Sequence, residues 1–393
     1  MTRPKRFGAA LSTGADWREA VQEAASVAAR GLEGASCDLL ILFVADLFPG
    51  LKPVELAAAA REVIPSREIA AVNASGVIGG SREIEFSPAV SAFALSAPDA
   101  KIKTFYFSSR ELAALESPAK LIEALDVYPT EKPRFLLFAD PASFDVDASL
   151  ALFNAAYPGA PAIGGLASGF AIGKPSWLLL GADVFAEGLV GCALTGDIDF
   201  NVAVAQGCRP IGKPWIVTKA SENLVYQLGG RPALETLKET LEGISPREQA
   251  LARRSLFAGI LMDERRRDFK AGDFLVRNIL GFDPPNGAMA LGAEPRPGQT
   301  IQFQVRDAKT SADDLREWLE GLSLKPGIPY GAILASCCGR GRGLYGKPDH
   351  DSALIQKILG PIPLAGFFAN GEIGPVLGRN YVHGYTSSLV VIS

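Results

Sequence analysis

Histidine is nearly missing from this chain: two residues, His350 and His383, among 393. A metal centre built on several imidazoles therefore has no ligands, although one histidine alone suffices as a haem axial ligand. Cysteine is sparse too, with five residues, an odd count, no CxxC spacing, and Cys337 and Cys338 as neighbours. Neither a disulfide framework nor a zinc site is written in that pattern, which points to a reduced compartment. No apolar run reaches the roughly 20 residues of a membrane-spanning helix. The nearest approach, 177–194, carries Asp183 and Glu187. The opening MTRPKRFGAALSTGADW is basic but lacks the apolar core of a secretory signal. A basic surplus is absent as well: Lys+Arg 39 against Asp+Glu 43 gives a net charge of -4. Neither nucleic acid nor an anionic membrane is called for as a partner. The run Arg265-Arg266-Arg267 has no interleaved aromatic residues on which bases could stack, and is expected to be a solvated loop. These absences together describe a cytoplasmic chain.

What is present is core. The hydrophobic fraction of 48% and charged fraction of 21% are those of a globular protein, and the length suits two or three domains. Residues 2–15 read as a loose lead-in, and Asp16 is placed to cap a helix over 17–30. Continuous apolar runs at 39–45, 134–139 and 332–335 have the pattern of strands buried on both faces. Each is followed by a helical stretch (53–63, 148–156, 352–359) and a second strand (69–72, 160–166, 362–368). That second strand runs into a small-residue turn: Asn73 to Gly80, Ala167 to Gly173, or Asn370-Gly371-Glu372-Ile373-Gly374. The recurrence of the glycine turn marks an internal strand–helix–strand repeat. Between the second and third copies, 200–305 is richer in short strands and turns. The expected fold class is α/β to α+β, with mixed sheets from repeated strand–helix–strand units in two domains. The expected division is a lead-in and helix over 1–34, one domain over 35–220 and another over 221–393.

Chemistry concentrates in the third copy. Strand ends carrying small residues and fixed charges are where α/β proteins hold ligands. There the chain reads Cys337-Cys338-Gly339-Arg340-Gly341-Arg342-Gly343, with Tyr345 just beyond. Guanidinium groups over a loop with unshielded N–H groups make a receptor for carboxylate or phosphate. The competing arrangement leaves one arginine in solvent and pairs the other with Glu372 or Asp349. Asp349 or Asp351 is placed to cap the following helix. The spacing Gly341-x-Gly343-x-x-Gly346 matches a dinucleotide fingerprint only formally, because Pro348 would break the helix the motif requires. One of the two cysteines, if lowered in pKa beside Arg340, could react as a thiolate; small core packing is the competing role. In the strand-end turns, Asn370, Gly371 and Glu372, with Asn73, Ser75 and Gly76 from the first copy, are candidates to face the same hollow. Glu372 would take an ammonium group and Arg340 a carboxylate; Arg306, after the strand 301–305, is a further candidate. No local signature marks a catalytic centre, so the expectation leans from enzyme to binding protein, with no cofactor or with haem.

Several segments in order resemble one family. They are 39–45, the Asn73–Gly80 turn, Ser87-Pro88-Ala89-Val90-Ser91, Gln206-Gly207-Cys208-Arg209-Pro210-Ile211-Gly212 and Phe274-Leu275-Val276-Arg277-Asn278-Ile279. The series continues with Phe303-Gln304-Val305-Arg306-Asp307-Ala308, Cys337-Cys338-Gly339-Arg340-Gly341, 363–374 and His383-Gly384-Tyr385-Thr386. Across 35–390 the series is similar to FIST proteins, a two-part (N and C) sensory domain. The resemblance implies a cytoplasmic module that recognises small molecules such as amino acids. It also implies haem-binding gas sensing as an alternative, since some members are described so. No receiver, kinase, cyclase or F-box sequence accompanies the matching region, so a signal would pass to a separate protein.

Overall fold

The computed structural model describes residues 4–266, 268–322, 324 and 330–393. Three strands that are apolar on both faces over 39–45, 135–139 and 332–335 organise it: Cys37–Ala45, Arg134–Ala139 and Gly331–Cys337. A strand apolar on both faces must be covered on both, so each sits near the middle of a sheet. Each pairs in parallel with the second strand of its own repeat: Ser66–Ala74, Ala162–Leu166 and Leu364–Ala369 respectively. On its other side each pairs antiparallel with a closing strand: Ala89–Ser96, Leu189–Gly196 and Thr386–Ile392. A parallel pair needs a crossover, and the helices Pro53–Arg61, Val146–Ala156 and His350–Leu359 supply it.

The glycine turns turn out to be crossings. After its second strand each repeat sends a short hairpin into the sheet of a different repeat. The first repeat's hairpin, Gly76–Gly79 with Arg82–Glu85, pairs with Leu364–Ala369 of the third. The second's, Leu178–Leu180 with Asp183–Phe185, pairs with Ser66–Ala74 of the first. The third's, Glu372–Val376 followed by Arg379–His383, joins Ala162–Leu166 of the second. The exchange closes on itself, and the outcome is three six-stranded sheets of one design. One phenylalanine from each repeat meets the others in the shared core. Phe43 stacks on Phe367 at 5.2 Å, and Phe138 approaches them edge-on at 5.8 and 6.0 Å.

The outer strands complete the sheets, and one of them corrects the lead-in expected over 2–15: Arg6–Ser12 is a strand paired with Ala89–Ser96. Residues 1–3 lie outside the described part. Asp16 caps the helix Trp17–Arg30 as expected, accepting from the N–H groups of Arg18 and Glu19.

The intervening region forms a barrel. Strand Thr300–Arg306 pairs with Trp215–Ser221 on one side and Leu256–Leu261 on the other. Leu224–Leu228, Ala288–Leu291 and Phe274–Asp283 close the ring between them. Its core is Val217, Val225, Ile260, Met289, Ile301, Phe303 and Val305. Of the arginine run, Arg265 is exposed on a turn and pairs with Asp263, and Arg266 pairs with Asp273; Arg267 lies outside the described residues. The compact units are discontinuous in sequence. One holds residues 1–204, 315–382 and 386–393, and the other 205–314 and 383–385. Segments 35–220 and 221–393 therefore each contribute to both.

Candidate functional site

Strand Gly331–Cys337 ends against Ala369, and the chain turns there: the Arg340 N–H donates to the Cys337 carbonyl at 2.7 Å. Gly341 follows at φ 56, where a Cβ would also fall 2.5 Å from the Glu85 carboxylate. Only glycine suits both conditions. A short helix, Gly341–Tyr345, and the crossover helix His350–Leu359 then fold back over Arg340.

Arg340 is therefore not extended into solvent, and its partner is neither Glu372 nor Asp349. Its guanidinium is 1% exposed and grips Asp351 with two prongs, Nε to Oδ2 at 2.6 Å and Nη2 to Oδ1 at 3.1 Å. Nη2 also donates to the Tyr345 hydroxyl at 2.7 Å. The Tyr345 ring stacks on His350 at 3.5 Å, and His350 Nδ1 lies 3.0 Å from Asp351 Oδ1. Burial alone would raise the Asp351 pKa, but the Arg340 guanidinium outweighs it and holds the carboxylate ionised far into acid. Nη1 of Arg340 has no hydrogen-bond partner.

Glu372 begins the third repeat's exchanged hairpin and is fully buried. Its Oε2 accepts the Thr386 N–H at 2.9 Å, and its Oε1 has no partner. Burial lifts its carboxyl well above the ordinary range, against the pull of the Thr386 N–H, of nearby Arg340 and of the Cys337 side chain. Arg340, Glu372 and Cys337 thus interact, as strand-end geometry suggested. Both charged groups are buried, however. Of the clefts found among the described residues, those of about 560, 420, 390 and 340 Å³ are lined elsewhere. The first of these lies in the barrel unit, between Leu237, Leu241 and Phe282.

The first repeat clamps the helices over Arg340, which sequence reasoning missed. Asp349 does not cap helix His350–Leu359; it adopts φ 63, and its Oδ1 accepts the Glu83 N–H at 2.6 Å. The cap comes instead from Glu83 Oε1, which accepts the Ser352 N–H at 2.8 Å. Two residues along the same strand, Glu85 Oε1 accepts the Arg342 N–H at 2.9 Å and holds the shorter helix. Burial, then the Asp351 charge, pushes Glu83 up to about 7. A carboxyl raised from 4.5 to about 7 favours the fold below pH 4.5 and loses that contribution as pH rises through 7. Glu83→Gln keeps an acceptor for Ser352 and removes the titration. Its stability relative to the parent is expected to rise by about 3 kcal/mol across that window, read from urea midpoints at both ends. A pH-independent difference would show that Glu83 titrates alike in the folded and the unfolded chain.

Other expected residues divide by place. Gly339 is half-buried, its N–H 3.3 Å from Cys337 Sγ. Ser75 Oγ lies 3.3 Å from Cys338 Sγ, and its N–H donates to Ser168 Oγ at 2.8 Å, so three repeats meet there. Burial pushes the Cys338 thiol up, which disfavours a thiolate. Asn73 ties the second repeat's incoming strand, donating to the Pro175 carbonyl at 2.8 Å and accepting from the Trp177 N–H at 3.0 Å. Gly76 and Gly371 sit at crossings where a Cβ would meet Ile84 O at 2.5 Å and Leu166 Cδ1 at 2.9 Å. Asn370 is exposed beside Gly371. Arg306 belongs to the barrel unit, over the Tyr385 ring at 5.6 Å. His350 is flanked by Tyr345, Asp351 and Arg340.

Among the described residues no helix is long and apolar enough to cross a membrane. The sequence matches the FIST N domain over residues 38–231 and the FIST C domain over 233–375. An uncharacterized protein of Mycobacterium tuberculosis is 40% identical over 387 residues, 98% of this chain and 99% of its own length. Another, of Mycobacterium bovis, is 38% identical over 98% of both chains. Matches that run from the first repeat through the barrel and into the third leave little of the chain unaccounted for, and the protein belongs to the FIST family of sensory domains.

Proposed function

We propose that this protein is a cytoplasmic, non-enzymatic receptor for a small charged metabolite, an amino acid or a relative, and that it signals to a separate partner protein. The ligand seat is the end of strand Gly331–Cys337 with the start of strand Glu372–Val376. One observation supports this above the others: a buried arginine and a buried glutamate, close enough to influence each other, each keep one polar atom without a partner, Arg340 Nη1 and Glu372 Oε1. Orphaned buried polar atoms are uncommon in stable folds because each lost hydrogen bond is costly, and a bound group is one way such an atom is satisfied. Arg340 and Glu372 are buried, so a ligand reaches them only as the helices over Arg340 move, and that movement is the signal.

A thermal-shift screen of amino acids and organic acids tests the seat. Hits are expected among the amino acids with the parent and are expected to shrink in Arg340→Lys, which keeps a cation for Asp351 but withdraws Nη1. Shifts retained at full size in that variant would remove Arg340 from the seat.

A further inference from the structure

We propose that the obligatory feature of the ligand is a small ammonium group received by Glu372, and that an anionic end is dispensable. This rests on the seat described above and concerns which of its two charges needs a counter-ion. Arg340 already has one. Its Nε and Nη2 occupy both oxygens of Asp351, so the pair is neutral as a unit and a single N–H edge, at Nη1, remains. A ligand carboxylate arriving there would share a guanidinium whose charge is already matched, and would meet it one-pronged.

Glu372 stands differently. It is 0% exposed, and its contacts are the Thr386 N–H on Oε2 and the nearby side chains of Cys337, Cys338 and Arg340. Among the described residues it forms no ion pair, and Oε1 accepts nothing. A dry carboxyl group without a counter-ion is held as the neutral acid. A cation with N–H donors supplies both the missing charge and the missing hydrogen bond. A metal ion does not suit, because among the described residues no group of three or more His, Cys, Asp or Glu is placed to hold one. When the ammonium group binds, the Glu372 O–H bond breaks, its proton leaves to solvent, and an N–H donor takes its place on the carboxylate.

Calorimetry on the full chain, in two buffers of different ionisation enthalpy, tests this with methylammonium chloride, glycine, sodium acetate and potassium chloride. Methylammonium and glycine are expected to bind with release of about one proton, as a group neutral before and ionised after binding requires. Acetate and potassium are expected not to bind. Glu372→Gln keeps an acceptor for Thr386 and is expected to weaken methylammonium at least about tenfold, the usual loss for a charge-assisted hydrogen bond. Should that variant fold poorly, infrared spectra of the parent at a pH above 7, where Glu83 is ionised, serve instead: the band of the remaining protonated carboxylic acid should vanish on adding methylammonium. Acetate and glycine binding without methylammonium would overturn the ammonium requirement and leave the seat standing. Methylammonium binding undiminished in the folded variant, or without loss of the acid band, would also overturn it. Silence from all four probes would remove both the requirement and the seat.

Discussion

Asp351→Ala is expected to lower the stability of the three-sheet unit by about 3–5 kcal/mol, the usual consequence of leaving one member of a buried ion pair alone. Arg340 is 1% exposed, so water cannot take over when its partner is removed. The Tyr345 hydroxyl would still accept from Nη2, but it carries no charge. Removing both charges is expected to behave otherwise: Arg340→Met with Asp351→Leu should recover most of the loss, because two desolvated ions are replaced by apolar volume. Hydrogen exchange in strand Gly331–Cys337 is the suitable measurement, since a chain with two compact units need not unfold in one step. A loss below about 1 kcal/mol would put the pair in the class of solvated ion pairs and contradict its burial.

Phe367→Ala is expected to cost a similar amount, about 3–5 kcal/mol, and for a different reason. Phe367 is fully buried and its ring touches those of Phe43 and Phe138. Truncation would open a void where all three repeats meet, and none of the facing strands can collapse into it without disturbing its own sheet. Coupling should follow from the contact. A double-mutant cycle with Phe138→Ala is expected to give an interaction of about 0.5–3 kcal/mol, whereas additive losses would mean the rings do not share one cavity.

Much of the frame could be read from residue order because each repeat's interior is local. The strands Cys37–Ala45, Arg134–Ala139 and Gly331–Cys337 carry unbroken apolar runs at 39–45, 135–139 and 332–335, and such runs have few alternatives. Asp16 before Trp17 carried its cap in plain view. The first strand did not. Gly8 looks like loop punctuation, yet it is there because a Cβ would lie 1.8 Å from the Ala28 carbonyl of the helix packed on it. The exchanged hairpins were hidden for another reason. Leu178–Leu180 and Asp183–Phe185 have three residues each, too few for a periodicity, and their stability comes from distant strands.

The candidate site divides in the same way. Cys337, Arg340 and Glu372 share a strand end, which spacing alone suggests. Asp351 lies 11 residues from Arg340, where its position before the helix suggests only a cap. Glu83 and Glu85 could not have been assigned, since no pattern in Arg82–Glu85 shows that this segment pairs into the third repeat's sheet.

That cyclic trade of hairpins sets the timetable of synthesis. Glu83 meets Asp349 across 266 residues of chain. At about 5–20 residues per second, the ribosome needs on the order of tens of seconds between making one and making the other. Through that interval the segment Gly76–Glu85 has no sheet to join, and its unpaired edge is open to wrong neighbours. Glu83, Glu85 and Arg82 keep that waiting edge charged, which discourages premature pairing until the last partner arrives.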